Sequence, residues 1–309
     1  ITSVGVNQFQ LNHTLIIMDN KPVIGFIGIG VMGRSMAGHL LNAGYPLHVH
    51  NRTQAKAQDL LDKGAQWQDS PGKVAAVSDV IITIVGFPND VEAVYLGDDG
   101  ILVNARAGST VIDMTTSCPD LAQKIAEQAK TKGISSFDAP VSGGDIGARE
   151  ARLSIMVGGD VEVFEKIKPL FEIMGKNIVL QGPAGSGQHT KMCNQIAIAS
   201  GMMAISEAMA YARKSGLKPE TVLKSIESGA AGSWSLTNLA PRVLKGDFAP
   251  GFFVKHFIKD MKIAIGSAEN MGLDLPGLQL AKQLYEKLAD RGCEDDGTQA
   301  LFKLYQDQL

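Results

Sequence analysis

The segment from Val23 to Gly33 reads Val-Ile-Gly-Phe-Ile-Gly-Ile-Gly-Val-Met-Gly, which puts a glycine-rich turn directly after an apolar run. The run predicts a buried strand, and Met32–Ala43 predicts the helix that follows it. In a strand–turn–helix of GxGxxG spacing, the first glycine permits a tight turn, the second admits a pyrophosphate and the third allows close packing. The segment therefore predicts a dinucleotide site at a helix N-terminus. Its predicted contacts are Gly28, Ile29, Gly30, Val31, Met32 and Gly33.

Outward from this segment, short apolar runs alternate with helical patterns. Such alternation is typical of βαβ units and a mostly parallel sheet, because parallel strands need a crossover helix. The predicted strands are Val23–Gly28, Leu47–His50, Val80–Val85, Val111–Asp113, Ser136–Asp138, Leu153–Val157 and Ile178–Leu180. The predicted helices between them are Met32–Ala43, Thr53–Lys63, Asp90–Leu96 and Pro119–Lys132. This half of the chain therefore predicts an α/β Rossmann-type doubly wound sheet.

The pattern changes after the glycine-rich segment 182–187. Residues 188–215 contain no proline and one glycine, and predict one long, largely buried helix that joins two domains. The later predicted helices are Pro219–Ser228, Ser235–Leu244, His256–Met271 and Gly277–Asp290. We predict a dinucleotide-binding Rossmann domain over residues 21–185 and an all-α domain over residues 186–309. Residues 1–20 lack Lys and Arg and are interpreted as an N-terminal extension without a role in function.

Composition excludes several classes of function. The 309 residues carry 29 Lys and Arg against 32 Asp and Glu, and this balance argues against a nucleic-acid partner. No apolar run approaches the roughly 18 residues of a membrane span. The three cysteines are far apart, which argues against a disulfide framework or zinc cluster, favours a cytoplasmic location and leaves no metal site predicted.

The second predicted strand is followed by Asn51, Arg52 and Thr53, and Asn51 lies 23 residues after Gly28. An acid at this position would bind the ribose 2′-hydroxyl of NAD. Asn does not repel an anion, whereas Arg can pair with a 2′-phosphate and Thr can donate a hydrogen bond. The three residues favour NADP, with NAD as the alternative. A solvated helix start capped by Thr53 is the competing interpretation.

Three other segments carry groups suited to chemistry. Asp138–Gly144 follows a strand and offers backbone N–H groups and the Ser142 hydroxyl, a cradle for a small carboxylate. On the long helix, Lys191 and Asn194 are three residues apart and project from one face. Lys259-Asp260 lies in a helix of the second half.

With these segments, the chain resembles the β-hydroxyacid dehydrogenases. That family includes 3-hydroxyisobutyrate dehydrogenase, tartronate semialdehyde reductase and the glyoxylate/succinic semialdehyde reductases, and it is distantly similar to 6-phosphogluconate dehydrogenase. The resemblance rests on five short segments in this order: Gly25–Gly33, Asp138–Gly144, Leu153–Gly159, Gly187–Asn194 and Lys259-Asp260.

The resemblance implies a role for each matching position and a homodimer or homotetramer. It also implies that residues 21–185 are an NADP-binding Rossmann domain and residues 186–309 an all-α substrate and oligomerisation domain. Lys191 matches the catalytic lysine and Asn194 its partner on the same helix. The substrate-carboxylate loop is matched by Ser142, Gly143 and Gly144, and the further cofactor contacts by Thr116 and Lys259. Independently, hydride transfer at a hydroxyl carbon requires a group that takes or gives the hydroxyl proton. A lysine whose pKa is lowered by desolvation can do this near neutral pH.

Two positions depart from the family pattern. Ala151-Arg152 stands where the family has Gly followed by Ser or Thr, so Arg152 either accepts a second acid group or faces solvent. Gln195 stands where a second Asn is frequent. Of the neighbouring residues, Trp234 is interpreted as core rather than a cleft wall, and Cys193 as a small buried residue.

The sequence favours an oxidoreductase that transfers hydride between NADP(H) and a short hydroxy acid or semialdehyde, with Lys191 as general acid or base. Leu153–Gly159 points to the 3-hydroxyisobutyrate and tartronate semialdehyde group, whereas Asn51-Arg52-Thr53 points to the NADPH-dependent glyoxylate and succinic semialdehyde reductases. An imine reductase is an alternative, although such enzymes usually carry another residue where this chain has Lys191. A non-catalytic NADP-binding module is the alternative from another class.

Overall fold

The computed structural model describes residues 21–308, and the predicted N-terminal extension at residues 1–20 lies outside them. The strands are β1 Ile24–Ile27, β2 Leu47–His50, β3 Gln66–Trp67, β4 Val80–Thr83, β5 Thr110–Asp113, β6 Ser135–Asp138, β7 Val141–Ser142, β8 Leu153–Gly158 and β9 Gly175–Gly182. The helices among them are α1 Val31–Asn42, α2 Gln58–Leu61, α3 Pro71–Val77, α4 Pro88–Leu96, α5 Ile101–Asn104, α6 Pro119–Thr131, α7 Gly144–Arg149 and α8 Val161–Met174. The later helices are α9 Ser186–Lys214, α10 Pro219–Ile226, α11 Trp234–Asn238, α12 Ala240–Leu244, α13 Val254–Asn270, α14 Pro276–Leu288 and α15 Lys303–Gln306.

The nine strands form one sheet of order β3-β2-β1-β4-β5-β6-β8-β7, with β9 paired to β8. Strands β1 to β6 pair in parallel, whereas β8 is antiparallel to β6 and β7. The predicted Rossmann-type sheet followed by a helical half is therefore confirmed. Because Ile27 is in register with both His50 and Thr83, the carboxyl ends of β1, β2 and β4 meet at one edge. Ligands bind at such an edge in open α/β sheets.

Helices cover both faces of the sheet, and alternate residues of β1 face opposite layers. Phe26 packs with α1 and α8 on one side, and Ile27 packs with α3 and α4 on the other. Helix α8 was not predicted, and its interior Pro169 is a residue that normally interrupts a helix. Its buried Phe164, among other apolar residues, packs against the sheet and compensates for the proline.

The second half is built around α9, which spans 29 residues from Ser186. It packs against α13 and α14, and no strand occurs between residues 186 and 308. The prediction that α9 is largely buried is only partly right, since Ala204 and Tyr211 are exposed. Cys193 is also exposed, so its interpretation as a buried residue is wrong. It lies two residues from the buried Lys191, and such positions point away from each other on a helix. No helix of residues 21–308 is long and apolar enough to cross a membrane.

Candidate active site

The three glycines of the β1–α1 turn differ in the space around them. A Cβ at Gly28 would lie 2.1 Å from the Ile84 carbonyl oxygen, and one at Gly33 would lie 1.9 Å from the Gly28 carbonyl oxygen. These two glycines therefore allow the close backbone approaches of the turn. A Cβ at Gly30 would meet nothing within 4 Å, and no side chain caps α1 there. The open space and the uncapped N–H groups fit a dinucleotide pyrophosphate.

Asn51 supports this turn from β2. Its Oδ1 accepts the Ile29 N–H at 3.0 Å, and its Nδ2 donates to the Thr53 carbonyl oxygen at 2.9 Å. The side chain of Thr53 forms no capping hydrogen bond, which leaves the interpretation of Thr53 as a helix cap unsupported. The Arg52 side chain is 85% exposed, and its guanidinium lies 3.4 Å from the Asp90 carboxylate. Arg52 is thus free to turn toward a phosphate.

Lys259 connects the two halves of the chain. From α13, its Nζ donates to the Thr116 carbonyl oxygen at 2.8 Å, beyond β5, and lies 3.4 Å from the Gly86 carbonyl oxygen, beyond β4. The structure therefore brings the predicted cofactor contacts Thr116 and Lys259 together at the sheet edge that carries the glycine turn. The adjacent Ser117 hydroxyl is buried without a hydrogen-bond partner, so a polar group remains to be satisfied at this place.

Lys191 lies at the junction of the two halves. Its side chain is buried, and its Nζ donates to the carbonyl oxygen of Val141 at 2.8 Å. Desolvation lowers the pKa of Lys191 to about 8, with a smaller lowering contribution from Lys259 and an opposing one from Asp260. An amine with this pKa can both donate and accept a proton near neutral pH.

The predicted carboxylate loop begins directly after Val141. Ser142 is half-buried at the end of β7, and Gly143 and Gly144 follow with φ of 133° and 63°. Glycine is required there because other residues rarely adopt positive φ. The turn leads into α7 without a side-chain cap, so its N–H groups are available to an anion. Lys191 and this loop are therefore neighbours in space.

Asn194 is half-buried, and its Nδ2 donates to Gln195 Oε1 at 2.7 Å rather than to a group of Lys191. Gln195 Nε2 in turn donates to Asp260 Oδ2 at 2.6 Å, and both residues are fully buried. Lys259 Nζ lies 3.0 Å from the other oxygen of Asp260. The sequence analysis did not identify this connection. Its signal was the i,i+4 spacing of Lys191 and Gln195, which places both on one helix face.

Gln188 is a second residue that the sequence analysis missed. It is completely buried one turn before Lys191. Its Oε1 accepts the Ser117 N–H at 2.9 Å, and its Nε2 donates to the Thr115 carbonyl oxygen at 2.7 Å. Gln188 thus fixes α9 to the loop beyond β5.

The surroundings of Arg152 favour one of its two open interpretations. Its side chain is about half exposed and forms an ion pair with Glu150, so it faces solvent. Ala151 has φ of 51°, the only non-glycine residue of 21–308 with positive φ, at the position where the family carries Gly. Trp234 is 58% exposed, and its interpretation as a core residue is wrong. It begins the short helix α11, whose buried residues are Ser235 and Leu236.

Metal-binding groups are scattered in this structure. Within residues 21–308, no three His, Cys, Asp or Glu residues are grouped so that they could hold a metal ion. The polar groups described at the site are amines, amides, hydroxyls, backbone groups and the carboxylate of Asp260.

Comparison with known proteins agrees with the two halves described above. The family described as the NAD binding domain of 6-phosphogluconate dehydrogenase matches residues 23–182, and the family described as NAD-binding of NADP-dependent 3-hydroxyisobutyrate dehydrogenase matches residues 185–305. The oxidoreductase YkwC of Bacillus subtilis is 63% identical over 92% of this chain and 99% of its own length. The 2-hydroxy-3-oxopropionate reductase of Escherichia coli is 41% identical over 87% of this chain and 92% of its own.

Solved structures give the same result. The structure of Mycobacterium tuberculosis 3-hydroxyisobutyrate dehydrogenase with L-serine matches with a TM-score of 0.86 at 29% identity, covering 93% of this chain and 99% of that one. An imine reductase from Pseudomonas sp. matches with a TM-score of 0.59 at 18% identity, covering 92% of this chain and 99% of that one. The second likeness concerns the fold alone.

Proposed function

This chain belongs to the β-hydroxyacid dehydrogenase family of oxidoreductases that act on CH–OH groups, and we propose that it interconverts a short hydroxy acid and its semialdehyde or keto acid with NADP(H). The observation that carries the proposal is the position of Lys191. A buried amine with a lowered pKa lies beside a glycine-containing loop with free N–H groups, at the junction of the two halves.

Different residues of the chain bind the cofactor and the substrate. The turn of Gly28, Gly30 and Gly33 holds the pyrophosphate, and Lys259 with Thr116 lies at the neighbouring loops. The bound nicotinamide supplies or takes the hydride. A substrate carboxylate binds the N–H groups of the loop Ser142–Gly144 together with the Ser142 hydroxyl.

Lys191 moves the proton. In the reducing direction, its ammonium group polarises the carbonyl oxygen of the substrate and gives it a proton. In the oxidising direction, the neutral amine takes the hydroxyl proton. Burial supports both roles because it brings the pKa close to neutral and strengthens interactions with the substrate oxygen. Asn194 is the proposed partner that orients the substrate oxygen from the same helix.

We propose NADP as the preferred cofactor. Asn51 is engaged in supporting the glycine turn and puts no negative charge near the ribose. Arg52 is exposed and held only by a long contact to Asp90, so it can pair with a 2′-phosphate.

A homodimer or homotetramer is also proposed. Apolar or small side chains on the exposed face of α9 include Cys193, Ala197 and Ala204. Such a face is suited to helix–helix contact between copies, and the mass in solution by light scattering tests it.

The test of the function is a panel of aldehydes. We would follow NADPH and NADH oxidation with glyoxylate and with the semialdehydes of tartronate, methylmalonate and succinate. A strong rate with NADPH on one of the four supports the proposal and identifies the substrate group. Absence of any rate on all four, together with reduction of a cyclic imine, would reject it in favour of an imine reductase. Tight NADPH binding without turnover of any of these compounds would favour the non-catalytic module.

A further inference from the structure

Asp138 is a buried carboxylate that the proposed function does not use. It ends β6, and its side chain reaches the beginning of α9, 47 residues later in the chain. Oδ1 accepts the Gly185 N–H at 2.7 Å, and Oδ2 accepts the Gln188 N–H at 2.8 Å. Gly185 is the N-cap residue of α9 and Gln188 lies in its first turn, and neither N–H group has a partner within the helix.

Helix α9 cannot supply this cap itself. The residue that precedes it, Gly185, has φ of 91° and no side chain, in contrast to α8, where Asp160 caps its own helix. The carboxylate of Asp138 therefore takes the place of an N-cap side chain, from a different element of the fold. A negative charge at a helix N-terminus is favourable, and hydrogen bonds to a charged acceptor are the stronger ones.

The contact is tight on both sides of the carboxylate. A Cβ at Gly187 would lie 2.5 Å from the Asp138 carbonyl oxygen and 2.9 Å from Oδ2. A Cβ at Gly158, on the neighbouring strand β8, would lie 2.5 Å from Oδ1. The first turn of α9 is thus seated against β6 and β8 with no space for adjustment.

The contact between Asp138 and the first turn of α9 determines the position of Lys191. Lys191 is one turn beyond Gln188, so the two bonds of Asp138 fix the part of α9 that carries it. The Lys191 ammonium group in turn binds the carbonyl oxygen of Val141, three residues after Asp138. Hydrogen bonds thus link the two halves of the chain at two places. Asp138 binds the start of α9, and Lys191 binds the residue before the carboxylate loop.

We propose that Asp138 is a positioning residue for proton transfer, which holds the first turn of α9 so that the Lys191 amine meets the substrate oxygen at the carboxylate loop. The inference rests on the proposed function of Lys191. It assigns to Asp138 no contact with substrate or cofactor.

The energetics agree with a positional role. Burial raises the pKa of Asp138 to about 7 even though two N–H groups favour its charged form. Keeping a carboxylate buried at neutral pH is therefore unfavourable by itself. The two hydrogen bonds that fix the start of α9 offset this unfavourable burial.

The test uses Asp138→Asn, which keeps the shape and places an NH₂ group against one of the two N–H donors. The control is Asp160→Asn, which removes the charge of another helix cap, at α8, a helix that does not carry Lys191. Its Oδ1 accepts two backbone N–H groups, at 2.9 and 3.0 Å, and the amide oxygen of Asn can keep both. A displacement of about 1 Å in a catalytic group can lower the rate about 100-fold. We expect kcat per NADPH-binding site to fall about 100-fold in Asp138→Asn. We expect the KM for NADPH to change less than about twofold, and Asp160→Asn to keep the kcat of the wild type.

Hydrogen exchange provides a readout that does not depend on turnover. The amides of residues 185–191 should exchange faster in Asp138→Asn, whereas those of residues 200–214 should not. If Asp138→Asn does not fold, Asp138→Ser keeps one acceptor oxygen and should give a kcat between those of wild type and a Lys191→Ala variant.

Two results would overturn the inference. One is a kcat of Asp138→Asn, or of Asp138→Ser, within about twofold of the wild type. The other is an equal loss of kcat in Asp160→Asn, which would show that both variants act through a general loss of stability. Failure of the proposed function is distinguishable, because Lys191→Ala would then retain turnover whatever the Asp138 variants do.

Discussion

The Nζ atom of Lys191 lies 2.8 Å from the carbonyl oxygen of Val141, the residue directly before Ser142. A helix of the second half thereby delivers an amine to a loop of the first half. The contact places a titratable group beside N–H groups that suit a carboxylate, as the proposed binding of a short hydroxy acid requires.

The pH dependence of turnover should report Lys191. Its pKa is lowered to about 8, so the ammonium form predominates below that pH and the amine above it. Reduction needs the ammonium form, and we expect its kcat/KM, which reports groups of the free enzyme, to fall as pH rises through about 8. Oxidation needs the amine, and we expect its kcat/KM to rise through the same range. Initial rates in both directions test this, and limbs that appear only near the ordinary lysine pKa of 10.5 would contradict a desolvated Lys191.

Replacing Lys191 by Met should stabilise the fold at pH 7. Below pH 8 both the folded and the unfolded chain hold the proton, so the full penalty of the lowered pKa, about 3 kcal/mol, opposes folding. Loss of the hydrogen bond to Val141 offsets about 1 kcal/mol of the gain. We expect a net rise of about 2 kcal/mol in the free energy of unfolding at pH 7.

The sign of this effect can be checked by titration. Between pH 8 and 10.5 the folded chain releases the proton first, the penalty disappears and the advantage of the variant should be lost. Lys73→Met is the control, since Lys73 is exposed and pairs with Asp69 on the surface. A surface pair contributes about 0 to 1 kcal/mol, so its loss should not stabilise. A Lys191→Met variant less stable than the wild type at pH 7 would contradict the burial of a charged amine.

Much of the fold follows from local sequence. All seven predicted strands are present. The central strands β1, β4 and β5 are fully buried, and such strands are short apolar runs bounded by turn residues. The predicted helix Thr53–Lys63 is instead a short 3-10 turn, Gln54–Ala57, followed by α2. The predicted helix Ser235–Leu244 is divided into α11 and α12 at Pro241, which stands at the start of the second.

Features of the site that depend on a single segment could be predicted from the sequence. The glycine turn and the burial of Lys191 belong to this class, since an Ala- and Met-rich helix indicates which lysine is withdrawn from water. Contacts between distant segments could not be found in the same way. Asp138 and Gly185 are 47 residues apart, and their meeting depends on the packing of α9 against β6 and β8.

Arg52→Ala should change the choice of cofactor. Loss of a charge-assisted contact to the 2′-phosphate corresponds to about 1.5 to 3 kcal/mol, or about 10- to 100-fold in the KM for NADPH. The KM for NADH should change little, because NADH lacks that phosphate. Arg106→Ala is the matched control, since Arg106 is also exposed and paired with an aspartate, Asp79, away from the site. An equal loss for both cofactors would show that Arg52 does not read the 2′-phosphate.

Ala151→Gly should stabilise the protein. Ala151 has φ of 51°, a conformation that disfavours a Cβ by about 1 kcal/mol. Removal of this strain should raise the free energy of unfolding by about 1 kcal/mol. The greater chain entropy of glycine in the unfolded state offsets part of this gain. Ala43→Gly is the control, since Ala43 also follows a helix but has φ of −74° and should be destabilised. Denaturant titration measures both, and an equal loss of stability in the two variants would contradict the strain at Ala151.

The most direct test of the central claim compares wild type and Lys191→Ala in one experiment, with NADPH oxidation measured on the aldehyde that the panel identifies and NADPH binding measured by fluorescence. General acid–base catalysis contributes about 10²- to 10⁴-fold, so we expect turnover to fall by that factor while NADPH affinity stays within about twofold. Turnover of Lys191→Ala at the rate of the wild type would contradict the role of Lys191 as the proton donor and acceptor.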